Sequence, residues 1–404
     1  MKFIDGGVCA AAGFKAGGVH CGIRKNKEKK DLAAYVCEKV CTAAAVHTQN
    51  LVKGAPNRVT AENLSNGTAQ AMICNSGIAN TCAADGIEKA KAMCAIAAKA
   101  LGVDESEVVV ASTGVIGPSI DLGPIKSGMP ALAESLSENG NLFAAEAIMT
   151  TDTKPKQAAV EFTLGGKTCR IGGMAKGSGM IMPNMATMLC FITSDADISA
   201  DLLRRTLKEV VDDTFNMVSV DGDTSTNDMV SILCSGLCGN EKITAEGDDL
   251  TAFKNALFEV LRALSKMIAK DGEGATKLIE CRVFGAKDKK TARTAAKSVI
   301  NSSLLKAAMF GADANWGRVL CALGYSGAEM DISKIGVEFE SLAGRISVCE
   351  NGAGIEVDED KAKQILTEDE IAIIVTLGDG QAEATAWGCD LTYDYVKING
   401  DYRS

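Results

Sequence analysis

The amino-acid sequence predicts an α/β fold, and three observations predict it. Apolar residues recur at helical spacing in two stretches: Ile87, Ala90, Cys94, Ala97 and Leu101 over 85–101, and a longer amphipathic run over 250–269. Short segments such as V-V-V-A at 108–111 and T-M-L-C-F-I-T at 187–193 are apolar on both alternating faces, as strands covered on both sides are. No dinucleotide-binding G-x-G-x-x-G joins them, and the strand order does not follow from pattern alone.

The chain's 404 residues suffice for two modest domains or one large composite core, and 47% apolar with 23% charged residues marks a soluble globular protein. No internal repeat, low-complexity tract or membrane-length apolar run interrupts it. The start, M-K-F-I-D-G-G-V-C-A, lacks both the apolar core of a signal peptide and the composition of a transit peptide, so a cytoplasmic location is expected. A net charge of −10 argues against a nucleic-acid partner; local lysines must meet any anionic substrate.

In chain order, the mixed-charge run R-K-N-K-E-K-K at 24–30 reads as a solvated turn. D-L-A-A-Y-V and C-T-A-A-A-V-H-T-Q-N follow as two short buried strands, with His47 a packed, hydrogen-bonded residue in the second. Asn75, Ser76, Gly77 and Asn80 read as a polar loop before the helix of 85–101. The strand at 108–111 runs into S-T-G-V-I-G-P, where a turn leaves the Thr113 hydroxyl and the Gly114 N–H outside the sheet ladder, a suitable donor pair for a developing oxyanion.

After a helix near 143–149, Asp152 and Thr153 cap backbone donors in the turn T-T-D-T-K-P-K. The strand Q-A-A-V-E-F-T-L then turns at Gly165-Gly166 into C-R-I-G-G-M. Ser199 is placed as the N-cap of a helix carrying Leu202, Leu203, Leu207, Val210 and Val211. Residues 291–309 read as one packing helix. From 335 the pattern becomes strands with turns at 342–344, 350–354 and 378–380, sheet-rich through W-G-C-D-L-T-Y-D-Y-V-K-I-N.

No metal is expected. The fifteen cysteines are odd in number and form no C-x-x-C pair, so they read as small core residues in a reducing compartment; with two histidines a zinc site is poorly supplied. The run D-G-D-T-S-T-N-D at 221–228 lacks the spacing and closing glutamate of an EF-hand, and K-D-G-E-G-A-T-K lacks the spacing of a P-loop.

The stretch the rest is organised around is M-A-K-G-S-G-M-I-M-P-N-M-A-T-M-L-C-F-I-T-S-D, 174–195. Gly177, Gly179 and Pro183 make its first half a loop, and Thr187 opens the buried strand that follows. A hydroxyl at neutral pH needs a base to become a nucleophile, and His20 and His47 lie far back in the chain. A cut before Thr187 would supply one, since a freed α-amine titrates near about 7.7–8.0.

The segment K-G-S-G-M-I-M-P-N-M-A-T-M-L resembles the self-cleavage motif of the ornithine acetyltransferase family, the bifunctional glutamate N-acetyltransferase and amino-acid acetyltransferase of arginine biosynthesis. G-F-K-A-G-G-V, N-S-G-I-A-N, A-S-T-G-V-I-G, M-T-T-D-T-K-P-K, S-T-N-D, K-D-G-E-G-A-T-K, G-A-D-A-N-W-G-R and Y-V-K-I-N-G-D-Y-R-S resemble it further, in order along essentially the whole chain. The resemblance implies two layered β-sheets flanked by helices, and self-cleavage between Ala186 and Thr187 into an alpha chain (1–186) and a beta chain (187–404) that begins with the nucleophile. It implies Thr113 and Gly114 as the oxyanion hole, and Thr153, Lys176, Thr187, Glu273, Asn399 and Ser404 as substrate contacts, with the C-terminus folded over the site.

Read without the resemblance, Lys176 and Glu273 are solvated charges and the C-terminus a free tail. The implied reaction passes acetyl from N2-acetylornithine to glutamate through Thr187, with no cofactor; some family members also accept acetyl-CoA. A heterotetramer of two alpha and two beta chains is implied, and neither a nucleic-acid nor a membrane partner. The alternatives are an N-terminal-nucleophile aminopeptidase or amidase, in which water accepts the acyl group, and a non-enzymatic binding protein.

Overall fold

A computed structural model describes residues 1–182 and 188–401; Ala186, Thr187 and Ser404 lie outside the described residues. The strands are β1 (Lys2–Ile4), β2 (Phe14–Val19), β3 (Leu32–His47), β4 (Thr68–Ile78), β5 (Val108–Val115), β6 (Lys156–Leu164), β7 (Lys167–Lys176), β8 (Leu189–Ser194), β9 (Val218–Ser219) and β10 (Met229–Cys234). They continue as β11 (Leu278–Ala286), β12 (Gly336–Ser341), β13 (Gly344–Glu350), β14 (Ala353–Gly354), β15 (Glu370–Thr376) and β16 (Ala382–Cys389). Two sheets result, as expected: β1-β6-β7-β8-β10-β3-β4-β5 with β2 also on β3, and β14-β13-β12-β15-β11-β16-β9.

The two short strands expected around residues 31–50 are one long β3, because its neighbours change along its length. Its first half pairs with β2 and β4, its last six residues with β10, and the β3–β4 register shifts between Val36 and Cys41. Such an irregularity bends a strand. The sheet folds back on itself there, and an apolar core fills the fold, with Tyr35 edge-on to Phe14 and to Phe191 at ring centroid distances of 6.1 and 6.4 Å.

Helices α1 (Ala55–Asn63), α2 (Gly86–Leu101) and α3 (Leu122–Ser135) cover the outer face of the β3–β5 layer. Of the stripe read on α2, Ala90, Cys94 and Ala97 are buried but Ile87 is exposed. Helix α4 (Asn141–Ala147) lies against β2, where Gly18 leaves the room: a Cβ there would sit 2.1 Å from the Phe143 carbonyl oxygen. Helices α5 (Ala200–Asp212) and α6 (Asp248–Lys270) cover the other layer. Ser199 does precede α5, though its side chain makes no capping bond. Helix α6 packs against β6 and β7 of the first sheet and β11 and β16 of the second, and so joins the two.

The helix expected over 291–309 is two, α7 (Lys289–Asn301) and α8 (Ser303–Phe310). Ser302 adopts an extended backbone between them, and its hydroxyl accepts the Leu305 N–H to cap the second. Helices α9 (Trp316–Gly324) and α10 (Glu359–Thr367) complete this half. The described residues end in a helix, α11 (Tyr393–Asp401), where sequence pattern suggested sheet. The Thr392 hydroxyl explains the switch: it accepts the Tyr395 N–H at 3.3 Å and donates to the Gly274 carbonyl at 2.7 Å, starting the helix and tethering it.

Candidate active site

Strands β7 and β8 are antiparallel neighbours, with Lys176 opposite Leu189, so the two sides of the central stretch run side by side. The described part of the intervening loop is held almost residue by residue. Gly177 N–H donates to Asp152 Oδ1 (2.6 Å), the Ser178 hydroxyl to the Asp271 carbonyl (2.6 Å), and the N–H groups of Met180 and Ile181 to the Asp221 carboxylate (2.6 and 2.8 Å). The Met182 N–H donates to the Asp223 carbonyl at 2.9 Å and the Thr224 hydroxyl to the Met182 carbonyl at 2.8 Å. Met180 is held in the left-handed region at φ 57°. A Cβ on Gly179 would lie 2.4 Å from the Glu273 carboxylate, so only glycine lets that group close on the loop.

The loop's first turn rests on a buried charge network. Lys156 Nζ lies 2.7 Å from Asp152 Oδ1 and 2.5 Å from Asp271 Oδ2, and Asp271 also accepts the Thr153 hydroxyl and N–H. Burial alone would raise the Asp152 pKa; the Lys176 and Lys156 ammonium groups and the Gly177 N–H outweigh it and hold the carboxyl well below the usual range. Lys176 itself is buried at the end of β7 and makes no ion pair among the described residues, a cation set to receive an anion. It is thus not the solvated lysine that its sequence context alone suggests.

Asp152→Asn is expected to cost about 3 kcal/mol of stability, because the buried Lys156 ammonium then keeps only Asp271 as a close counter-charge among the described residues. A carboxyl whose pKa is lowered on folding stabilises above its unfolded pKa of about 3.9 and loses that contribution as pH falls below it. Urea unfolding across pH 2–6 should therefore show a shallower acid loss in the variant than in the parent.

Thr113 and Gly114 are not at a turn. They continue β5, paired with Ser76 and Gly77 of β4, and residues 75–77 are accordingly strand rather than loop. The donors are nevertheless available, because β5 is an edge strand. The Ser112 carbonyl faces away from β4, to Asn227 Nδ2 at 3.0 Å, whereas the Val115 carbonyl accepts from Ala79 on the β4 side. Alternation along the strand puts the Gly114 N–H on the open side with Ser112. The Thr113 hydroxyl makes no hydrogen bond to a described residue. A Cβ on Gly114, at φ 131°, would lie 2.2 Å from the Gly77 carbonyl carbon, so this position admits glycine alone.

Asn227 connects this edge to the central stretch. Its carboxamide donates to the Ala79 and Ser112 carbonyls and accepts the Thr81 and Thr226 hydroxyls, while two residues on the Met229 N–H donates to the Met188 carbonyl at 2.9 Å. Between them Asp228 is buried, its Oδ2 without a hydrogen-bond partner among the described residues; burial pushes its carboxyl up. The polar run 221–228 therefore holds the site together. Sequence alone excluded calcium there but gave the run no task.

Helix α11 reaches back to the loop through Asn399. Asn399 Nδ2 donates to Glu273 Oε2 at 2.8 Å, so two residues 126 apart in sequence meet, and Glu273 is buried beneath. Burial, with the negative charges of Asp221 and Glu273, pushes the Tyr395 phenol above its usual range. A cleft of about 930 Å³ opens beside the group, lined by Thr153, Lys156, Asp271 and, from α11, Asp394 and Lys397.

The described site thus unites Thr153, Lys176, Glu273 and Asn399 around the loop, with Thr113 and Gly114 joined through Asn227. His47 is packed but not hydrogen-bonded at Nδ1 among the described residues: burial and Lys53 push it down to about 4. A neutral imidazole at a strand end without a carboxylate partner is no triad base. Sequence reading missed Lys156, Asp271 and Asp221, whose roles carry little local signal because the contacts that tie Asp221 to the loop and Lys156 to Asp271 span 40 or more residues.

Residues 15–404 match the family model described as the ArgJ family. The arginine biosynthesis bifunctional protein ArgJ 1 of Clostridium acetobutylicum is 52% identical over 97% of this chain and 96% of its own. The arginine biosynthesis bifunctional protein ArgJ of Symbiobacterium thermophilum is 51% identical over 100% of both. The crystal structure of arginine biosynthesis bifunctional protein ArgJ from Bacillus halodurans is 45% identical with a TM-score of 0.50, the match covering 98% of that chain and 52% of this one. On a match of this extent, and as the motifs around residue 187 led us to expect, the chain belongs to the ArgJ family.

Proposed function

We propose that this protein cuts itself between Ala186 and Thr187 and then carries acetyl from N2-acetylornithine to glutamate on Thr187, as an acyltransferase of arginine biosynthesis. The observation that carries this reading is the pairing of an open oxyanion edge at Thr113 and Gly114 with a buried cation, Lys176, that makes no ion pair among the described residues, both fixed around the strand that starts two residues after Thr187. Thr187, deprotonated by its own freed amine, attacks the acetyl carbonyl; the Thr113 hydroxyl and Gly114 N–H hold the oxyanion; ornithine leaves. The amine of glutamate then attacks the threonine ester and returns the hydroxyl. Lys176 takes a substrate carboxylate, and Glu273, with Thr153, Asn399 and Ser404, holds the amino-acid end that carries positive charge.

The match to a solved ArgJ chain, nearly complete for that chain yet only 52% of this one, supports division into pieces 1–186 and 187–404. We extend the proposal to a cytoplasmic assembly of two of each piece, and, because the relatives are named bifunctional, to acetyl-CoA as a second donor. Purified protein should make N-acetylglutamate from acetylornithine plus glutamate, and at a separate rate from acetyl-CoA plus glutamate. Without glutamate, acetate release should be slow; rapid release would favour the amidase reading. Denaturing electrophoresis with N-terminal sequencing should find one piece starting at Met1 and one at Thr187. A fully active single intact chain would end both the cleavage and the free-amine mechanism.

A further inference from the structure

At the end of the first sheet remote from the start of β8, the side-chain ligand atoms of Cys169, Asp195 and Cys238 all lie within 4.8 Å of one another. Cys169 is buried in β7, Asp195 follows β8, and Cys238 sits half-buried in the turn after β10. That turn is rigidly placed: the Ser235 N–H donates to the Ser194 carbonyl (2.8 Å), the Cys238 N–H to the Asp195 carbonyl (2.8 Å), and the Asp197 N–H to Asn240 Oδ1 (2.8 Å). The sulfurs therefore meet by construction. We propose that Cys169 and Cys238 are a thiol pair that closes to a disulfide when a small disulfide such as oxidised glutathione reaches Cys238.

The two thiols differ in the way the chemistry needs. The Cys169 S–H donates to Asp195 Oδ1 at 3.0 Å and the Cys238 S–H to Asn240 Oδ1 at 2.9 Å; the neighbouring Cys238 sulfur, burial and the Asp195 charge push the Cys169 pKa up, whereas that of Cys238 is lowered beside Cys169. Cys238, the accessible member, attacks glutathione disulfide as thiolate, forming a mixed disulfide and releasing one glutathione thiolate. Cys169 then passes its proton to the Asp195 carboxylate and attacks the Cys238 sulfur, releasing a second glutathione. Two protein thiols are oxidised and one glutathione disulfide is reduced. Cys37 and Cys41 also interact, but both are buried from any oxidant.

Cys169 and Cys238 lie on opposite sides of residue 187, so the bond would tie the two pieces together; this consequence rests on the proposed cut, whereas the disulfide does not. Full-length protein is treated with glutathione disulfide, blocked with N-ethylmaleimide, digested and mapped by mass spectrometry. A peptide pair linked through Cys169 and Cys238 is expected, lost on reduction and absent from Cys238→Ser. On a non-reducing denaturing gel the oxidised protein should run near 42 kDa and split on reduction. Recovery of both residues as maleimide adducts overturns the proposal, as does a stable glutathione adduct on Cys238 alone. A band that stays single even when reduced speaks against the cut, and the peptide map still decides the disulfide.

Discussion

Thr187→Ala should yield one uncut chain of 404 residues that transfers no acetyl group. The peptide bond before residue 187 is inert in solution, so cutting it requires a hydroxyl pressed against the Ala186 carbonyl. The same hydroxyl must later carry the acetyl group, and one deletion therefore removes both events. Thr187→Ser keeps an oxygen and should retain part of each. Electrophoresis reports the first event and N-acetylglutamate formation the second. Normal transfer by the alanine variant would take the nucleophile's role from Thr187.

The next largest effect is expected at the oxyanion edge. Thr113→Ala should lower turnover by about 10²–10³, as loss of one such donor does, with a smaller change in KM. The hydroxyl has no described partner to lose, so the fold should tolerate the change and the effect should lie in kcat. Unchanged turnover would remove Thr113 from the site.

Much of this architecture is legible in the sequence because it is written locally. Gly165-Gly166 sets the β6–β7 hairpin, with both glycines at positive φ and Leu164 opposite Lys167. Helices α2, α5 and α6 announce themselves by period. Most of the departures share a physical cause, a deciding partner that is distant, although the split at Ser302 is made by a local cap. Residues 393–401 are rich in β-branched and aromatic side chains yet form a helix, because Thr392 is anchored to Gly274. Thr113 and Gly114 read as a turn because nothing local reveals that β4 lies alongside. Lys176 and Glu273 read as solvated because nothing local reveals Asp152 near the first or Asn399 over the second.

The pairing of Lys176 with Leu189 has a consequence for the life of the molecule. In the uncut chain the ends of the central loop are neighbours, so β7 and β8 find their register as a local, first-order event. After the proposed cut the same ladder must be found by two separate molecules, and reassembly becomes second order and fails on dilution. The precursor should thus refold from denaturant at any concentration and the mature protein only when concentrated. Processing would turn a protein held by equilibrium into one held by how slowly it comes apart.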